Sequence, residues 1–226
     1  MPESIAHLQT PARRRAAETR SAQTRARLLQ AGLQLFSALG VDGVRTRQLV
    51  DIAGCSQSAI PYHFGGKREL YAAVLERGAQ AIADRLPLPA TPPNDVQQAA
   101  RQLQQLMRAF VIALLSVPDA GPRTLLLARE QIQPTAAFGT AHRVLFEPLH
   151  DALARCVACL RGADAGSASV ETLLRTHALL GQAIVFAVSH GALRARLGED
   201  AAAADAETIA AVVSGMALAA AAAAPA

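Results

Sequence analysis

The chain has no tryptophan, only two tyrosines and an aromatic content of 4%. Sheet cores are built largely from β-branched and aromatic residues in alternation, and no alternating run of that kind occurs, so no strand is expected. Cysteine is scarce as well, at three residues. That excludes a disulfide-stapled scaffold and, with no secretory signal in view, points to a reducing, cytoplasmic setting. Long uncharged apolar runs are also missing. The longest, residues 209–224, is mostly alanine and about one turn short of a bilayer span, so no membrane partner is expected.

The patterns of common catalytic chemistry are equally absent. There is no Gly-x-Ser-x-Gly elbow, no His-Glu-x-x-His pair, no P-loop and no dinucleotide-binding glycine pattern. No catalytic residue, cofactor or metal is therefore expected, and the chain reads as something other than an enzyme. Cys156 and Cys159 form a single Cys-x-x-Cys with no second pair. Zinc would need further ligands, and a dithiol redox site would need a strand-to-helix junction, so both thiols are expected to pack within a helix.

What the chain has in quantity is alanine and leucine, in a composition that is 51% apolar over 226 residues. This supports an all-α protein of one or two domains. Its formal charge of +4 is unevenly placed. Residues 1–86 carry 12 Lys+Arg against 7 Asp+Glu, a net of +5, whereas residues 87–226 carry 10 against 11, a net of −1. A basic surplus confined to one end is the footprint expected of a phosphate-binding half.

The stretch from Thr46 to Lys67, TRQLVDIAGCSQSAIPYHFGGK, shows what that half does. Thr46 can cap a helix with Leu49, Ile52 and Ala53 facing inward. Gly54 ends it, and Ser56 can cap a second, short and polar helix, which gives a helix-turn-helix outline. The second helix suits a major groove better than a core. Gln57 is the best candidate for base readout, because a carboxamide pairs bidentately with adenine; the hydroxyls of Ser56 and Ser58 discriminate less. Arg45, Thr46, Arg47, Tyr62, His63 and Lys67 form the expected phosphate clamp. Pro61 should kink the reading helix or finish it by Ile60.

Around this motif, Leu28, Leu29, Ala31, Leu35 and Phe36 recur at helical spacing within residues 24–39. Gly40, Gly43 and Thr46 come next, then Ala53-Gly54, Tyr62-His63-Phe64 and Gly66-Lys67-x-x-Leu70-Tyr71. In that order the chain resembles the TetR family of transcriptional regulators. Ile60 to Lys67, Arg129-Glu130 and Pro134-Thr135-x-x-Phe138 resemble most the branch with a CecR-type C-terminal domain. The resemblance implies a cytoplasmic homodimer that binds a palindromic DNA operator, represses transcription and is released by a small-molecule effector.

The expected organisation is a flexible basic arm at 1–19, a DNA-binding domain at 20–86 and a ligand-binding and dimerisation domain at 94–222. A Pro-rich stretch from Leu86 to Pro93 marks the boundary, after a helix bearing Leu70, Tyr71, Val74, Leu75 and Ile82 on one stripe, and Asn94 or Asp95 caps the next helix. Helices are expected over 95–117, 122–132, 135–161, 169–197 and 203–222, the third bent or broken at Pro148. Phe110, Phe138, His142, Phe146, His177, Gln182 and Phe186 are the candidate lining of an effector pocket. Leu173, Leu174, Leu180, Ile184, Val188, Ile209, Val212, Val213 and Met216 offer the last two long helices as a dimer face. The alternative is a nonspecific or architectural nucleic-acid binder that uses the same basic face without a ligand.

Overall fold

The computed structural model describes residues 11–163 and 169–223. The expected all-α class is observed: the described residues are mostly helical and contain no strand. They form two compact units that divide between Val74 and Leu75, inside the fourth helix.

The first unit opens with α1, Pro11–Gly43, which is interrupted at Gly40, where φ is +70°. The interruption falls on the glycine at which the apolar period of residues 24–39 stops. Helicity from Pro11 onward differs from the flexible arm expected at 1–19, whose first ten residues lie outside the described ones. α2, Thr46–Ala53, begins one residue earlier than Thr46 could dictate. Arg45 is its N-cap, and the Gln48 side chain accepts the Arg45 N–H at 2.8 Å. Its buried face is Leu49, Val50 and Ala53. Ile52, expected inside, is 52% exposed, because residues 49, 50 and 53 occupy the i, i+1, i+4 arc that leaves 52 on the far side.

Gly54 closes α2 in the left-handed conformation, with its N–H directed to Asp51. α3 then runs from Ala59 to Phe64. Pro61 neither kinks it nor ends it at Ile60. The helix starts late enough to place Pro61 in the first turn, where no backbone N–H has an intrahelical partner to lose. The ladder proceeds across it, with Tyr62 N–H donating to Ser58 and Gly65 N–H to Pro61. α4, Lys67–Ala83, buries Leu70, Tyr71, Val74, Leu75 and Ile82, the stripe expected from the sequence. In the first unit Phe36 and Tyr71 meet edge to face at 5.1 Å, in a core that includes Leu28, Leu49 and Ile60.

The second unit is built around α5, Val96–Ser116. Asp95 caps it, accepting the Gln98 N–H at 2.6 Å, while the Gln98 side chain returns to the Asn94 N–H. α5 packs against α6 (Ala120–Ile132), α8 (Glu147–Leu160), α9 (Val170–Val188) and α11 (Ala206–Ala222). Among these α7, Phe138–Ala141, leads through a π-helical turn, His142–Phe146, into α8. α9 and α10 (His190–Leu197) are two helices, not one. The break is at Ser189, where φ is −107° and ψ 18°, two residues before Gly191. A Ser/Gly pair is a recognised weak point in a helix. A short 3-10 helix, Gly198–Ala203, precedes α11. Among the described residues no single helix is long and apolar enough to cross a membrane.

Candidate nucleic-acid interface and ligand cavity

In the first unit, α3 turns one face inward and leaves the other open. Ala59 and Ile60 are buried, whereas Tyr62 is 79% exposed. Ser56, Gln57 and Ser58 form an exposed turn ahead of the helix, with the two serine hydroxyls 2.8 Å apart. Ser58, not Ser56, holds the N-cap position and makes no side-chain cap bond there.

Arg45, Thr46 and Arg47 are exposed at the start of α2, so their side chains lie on the same short stretch as the cap. His63 is half-buried, its ring edge-on to Tyr62 at 4.9 Å and to Phe64 at 6.3 Å. Phe64 in turn carries the Arg25 guanidinium over its face at 5.1 Å, a contact that binds α3 to α1. Lys67 stands at the first position of α4, and its Nζ donates to the Val44 carbonyl at 2.8 Å. That bond ties the start of α4 to the segment between α1 and α2, leaving two of its three donors for other partners.

The second unit holds a partly open cavity of about 650 Å³. Of the expected lining, Phe110, His142, Phe146 and His177 face it; Phe138, Gln182 and Phe186 are not among its walls. Phe138 stacks one turn away on His142, at 5.4 Å between rings. On α9 the cavity takes His177, Leu180, Gly181, Ile184 and Val188, a stripe of helical period that rotates residues 182 and 186 away. The Gln182 Oε1 is buried without a hydrogen-bond partner among the described residues.

Thr124, Arg129, Gln131, Gln133 and His150 complete the polar lining, and none of them is in the pocket set expected from the sequence. For His150 the reason is the π turn. In a plain α-helix each step of four residues rotates a side chain by about 40°, so 142, 146 and 150 would fan out by about 80°. The π turn winds more residues per turn and takes part of that rotation back. Its cause is Pro148, which has no N–H for the carbonyl four residues earlier; just ahead of it Glu147 N–H bonds back to His142, one residue further than in an α-helix. The irregularity thus lines up His142, Phe146 and His150 on one wall. Burial holds the His150 pKa below the usual imidazole value, the nearby His177 and His142 add to this, and Asp151 opposes it.

Glu130, buried beside Arg129, does not line the cavity. Its Oε2 accepts the Thr135 N–H at 3.0 Å and hydroxyl at 3.1 Å, and the Thr135 Oγ accepts the Ala137 N–H. The motif Arg129-Glu130…Pro134-Thr135 is therefore a loop clasp that sets the path from α6 into α7.

All three cysteines are free thiols. Cys156 is buried, 3.8 Å from the Gln102 side-chain oxygen, and burial pushes its pKa up to about 11. Such a thiol stays protonated at neutral pH and packs as a small apolar group. Among the described residues no three His, Cys, Asp or Glu side chains converge as metal ligands.

On α9 and α11, Leu173, Leu174, Val188, Val212 and Met216 of the expected dimer face are exposed, joined by Val170 and Val185. Leu180, Ile209 and Val213 are instead buried within their own chain and Ile184 is half-buried in the cavity wall, because α9 and α11 turn those positions toward each other and toward α5 and α8.

Comparison with known proteins agrees with this layout. Residues 99–224 match the family described as the HTH-type transcriptional dual regulator CecR, C-terminal domain, and residues 28–74 match the bacterial regulatory proteins of the tetR family. The HTH-type transcriptional dual regulator CecR of Shigella flexneri is 31% identical over 185 residues, 78% of this chain and 81% of the relative. Among solved structures, a regulatory protein in the tetR family from Rhodococcus RHA1 superposes with a TM-score of 0.64 at 18% identity, covering 86% of this chain and 95% of that one. AibR, solved with isovaleryl coenzyme A and operator DNA, superposes with a TM-score of 0.62 at 15% identity, covering 86% and 97%.

Proposed function

Because this chain belongs to the TetR family of DNA-binding transcriptional regulators, in the branch with a CecR-type C-terminal domain, we propose that it acts as a ligand-responsive repressor. It binds a palindromic operator as a homodimer, and a small molecule in the second-unit cavity releases it. The observation that carries the DNA-reading half is the split character of α3 and the turn before it: Ala59 and Ile60 are buried while Ser56, Gln57, Ser58 and Tyr62 are left exposed.

In this reading residues 20–86 bind DNA, with Gln57 and the two serines reading base edges from the start of α3. Arg45, Thr46, Arg47, Tyr62, His63 and Lys67 hold phosphates and fix the register. Residues 94–222 sense the effector and dimerise. Exposed apolar side chains on both α9 and α11 support a shared face between two copies. The effector acts by preferring one of two conformations, and it lowers operator affinity by no more than its own difference in affinity for them. AibR, which was solved with an acyl-coenzyme A and operator DNA, shows that this fold accommodates both kinds of partner in one protein. The dual regulator from Shigella shares the C-terminal domain, so the direction of regulation is read from a reporter on the selected operator.

Selection of duplexes from a random pool at near-physiological salt tests the reading. A palindromic consensus, preferred by about 10³-fold or more over random sequence, is the expected result. Retention of DNA with no consensus would instead identify a nonspecific binder.

A further inference from the structure

The basic surplus of the first 86 residues is not where the reading motif is. Residues 28–86, which hold the helix-turn-helix, carry six Lys+Arg against five Asp+Glu, a net of +1, and residues 1–10 carry a single Glu. Residues 11–27 carry Arg13, Arg14, Arg15, Arg20, Arg25 and Arg27 against Glu18 alone, a net of +5. The tetR-family match starts at residue 28, just past them.

These residues are the opening turns of α1. Residues 15–27 are exposed or half-buried, and the buried apolar face of the helix starts only at Leu28. From 11 to 27 there is no Val, Leu, Ile, Met or aromatic side chain. A helix that enters a membrane surface or a partner's groove needs an apolar face, and this one has none. It is equipped to bind a polyanion through charge.

Its position selects which polyanion. The Arg25 guanidinium lies over Phe64, at the end of α3, and a Cβ on Gly54, between α2 and α3, would lie 3.6 Å from Arg27 Nη1. α1 therefore passes beside the reading motif at residues 25–27 and continues beyond it. From Arg25 back to Arg13 the helix extends about 18 Å, the rise of about five nucleotides of one DNA strand. Arg20, seven residues before Arg27, repeats its direction to within about 20°, so it continues the side of α1 that Arg27 presents to Gly54.

Resting on the reading of this unit as the DNA-binding half, we infer that residues 11–27 of α1 are a second DNA contact, which holds phosphates flanking the half-site read from α3. Such contacts add affinity without sequence preference.

Titration of the operator duplex over about 50–300 mM salt tests this, with flanks of about ten base pairs and with none. The variant combines Arg13→Ala, Arg14→Ala, Arg15→Ala and Arg20→Ala. Alanine keeps the helix, and Arg25 and Arg27, which touch the reading motif, stay in place. With two of the four arginines engaged on each protomer of a dimer, the slope of log K against log[salt] should be shallower than the parent's by about 3.6 on the flanked duplex. Removing the flanks should bring the parent to the variant's slope, and both proteins should select the same consensus. Lysine at the same four positions should keep the parent's slope. Matching slopes, a difference that survives removal of the flanks, or a lysine version as weak as the alanine one would overturn the inference, while a retained consensus leaves the operator reading standing. A shallower slope on random duplex with no consensus from either protein keeps the basic helix as a phosphate contact and overturns the operator reading alone. If the parent retains no DNA, both fall.

Discussion

Replacing Gln57 by alanine separates reading from holding. Gln57 is exposed in the turn before α3, and no described hydrogen bond uses its amide. Truncation should therefore change folding stability by no more than about 0.5 kcal/mol, as for other surface positions. Any loss of binding is then a loss at the DNA. A bidentate amide–adenine contact is worth about 1–3 kcal/mol, and a symmetric dimer makes it twice, so specific affinity should fall by about 2–6 kcal/mol, or about 30-fold to 10⁴-fold. Nonspecific affinity and its salt slope should not move, because they come from phosphates. The assay is competition between the selected operator and its single-base variants at fixed salt, with a melting curve as the folding control. The variant should lose its preference at one symmetric pair of positions. If its profile superimposes on the parent's, Gln57 does not read bases. Lys67→Ala is a poorer probe, since losing the bond to Val44 loosens the unit as well as the clamp.

Other substitutions address the remaining parts. Glu130→Ala should destabilise the chain by about 1–3 kcal/mol in a denaturant titration by stranding the Thr135 donors, whereas Glu130→Gln, which keeps an acceptor there, should cost less. Leu174→Arg, at a side chain 66% exposed on α9, should halve the mass seen by light scattering and weaken palindrome binding without lowering the melting temperature of the monomer. His150 has a folded pKa below its unfolded value, so the unfolded chain binds the extra proton first. Its contribution to stability is therefore full above the ordinary imidazole range and is lost as pH falls through that range toward the folded value. His150→Gln should flatten the acid side of the stability profile between about pH 7 and 5, measured against the parent.

Local backbone chemistry was the legible part of this chain. Gly40 and Gly54 stop helices because positive φ is cheap only there, and the stripe of α4 follows from spacing alone. Errors lie where tertiary packing or an element's start decides the outcome. Leu49 and Ala53 are equally compatible with Ile52 or Val50 as the third inward position, and packing against the unit's core selects Val50. Pro61 is disruptive only in a helix that begins well before Ala59. Pro148 was recognised as a disturbance, but periodicity cannot say that a helix will absorb it as a π turn and so bring His150 into the cavity. The cavity set was half legible for the same reason: identity suggested Phe138, Gln182 and Phe186, while the phase of α7 and α9 decides which side chains arrive.

α6 gives the proposed release a physical route. It forms one wall of the cavity through Thr124, Leu127, Ala128, Arg129 and Ile132, and Arg123 in its first turn lies against α4 at Gly78. There a Cβ on Gly78 would lie 3.3 Å from Arg123 Cγ, so a side chain at this position asks Arg123 to give by a few tenths of an ångström. Arg123 cannot easily yield, since its Nε and Nη2 both donate to the Pro118 carbonyl, at 3.2 and 2.9 Å. A ligand that favours one position of α6 must then favour one position of this part of α4, a helix whose first residues, from Lys67 to Val74, belong to the DNA-reading unit. The coupling is reciprocal by linkage: whatever factor the effector takes from operator affinity, operator DNA must take from effector affinity. Titrating the effector with and without saturating operator, and the operator with and without saturating effector, measures that factor twice. Gly78→Leu, which forces α4 off Arg123, should shrink both values together while the effector still binds. Were both values to stay at the parent's while the effector still binds, α6 and α4 would not be the shared two-state element.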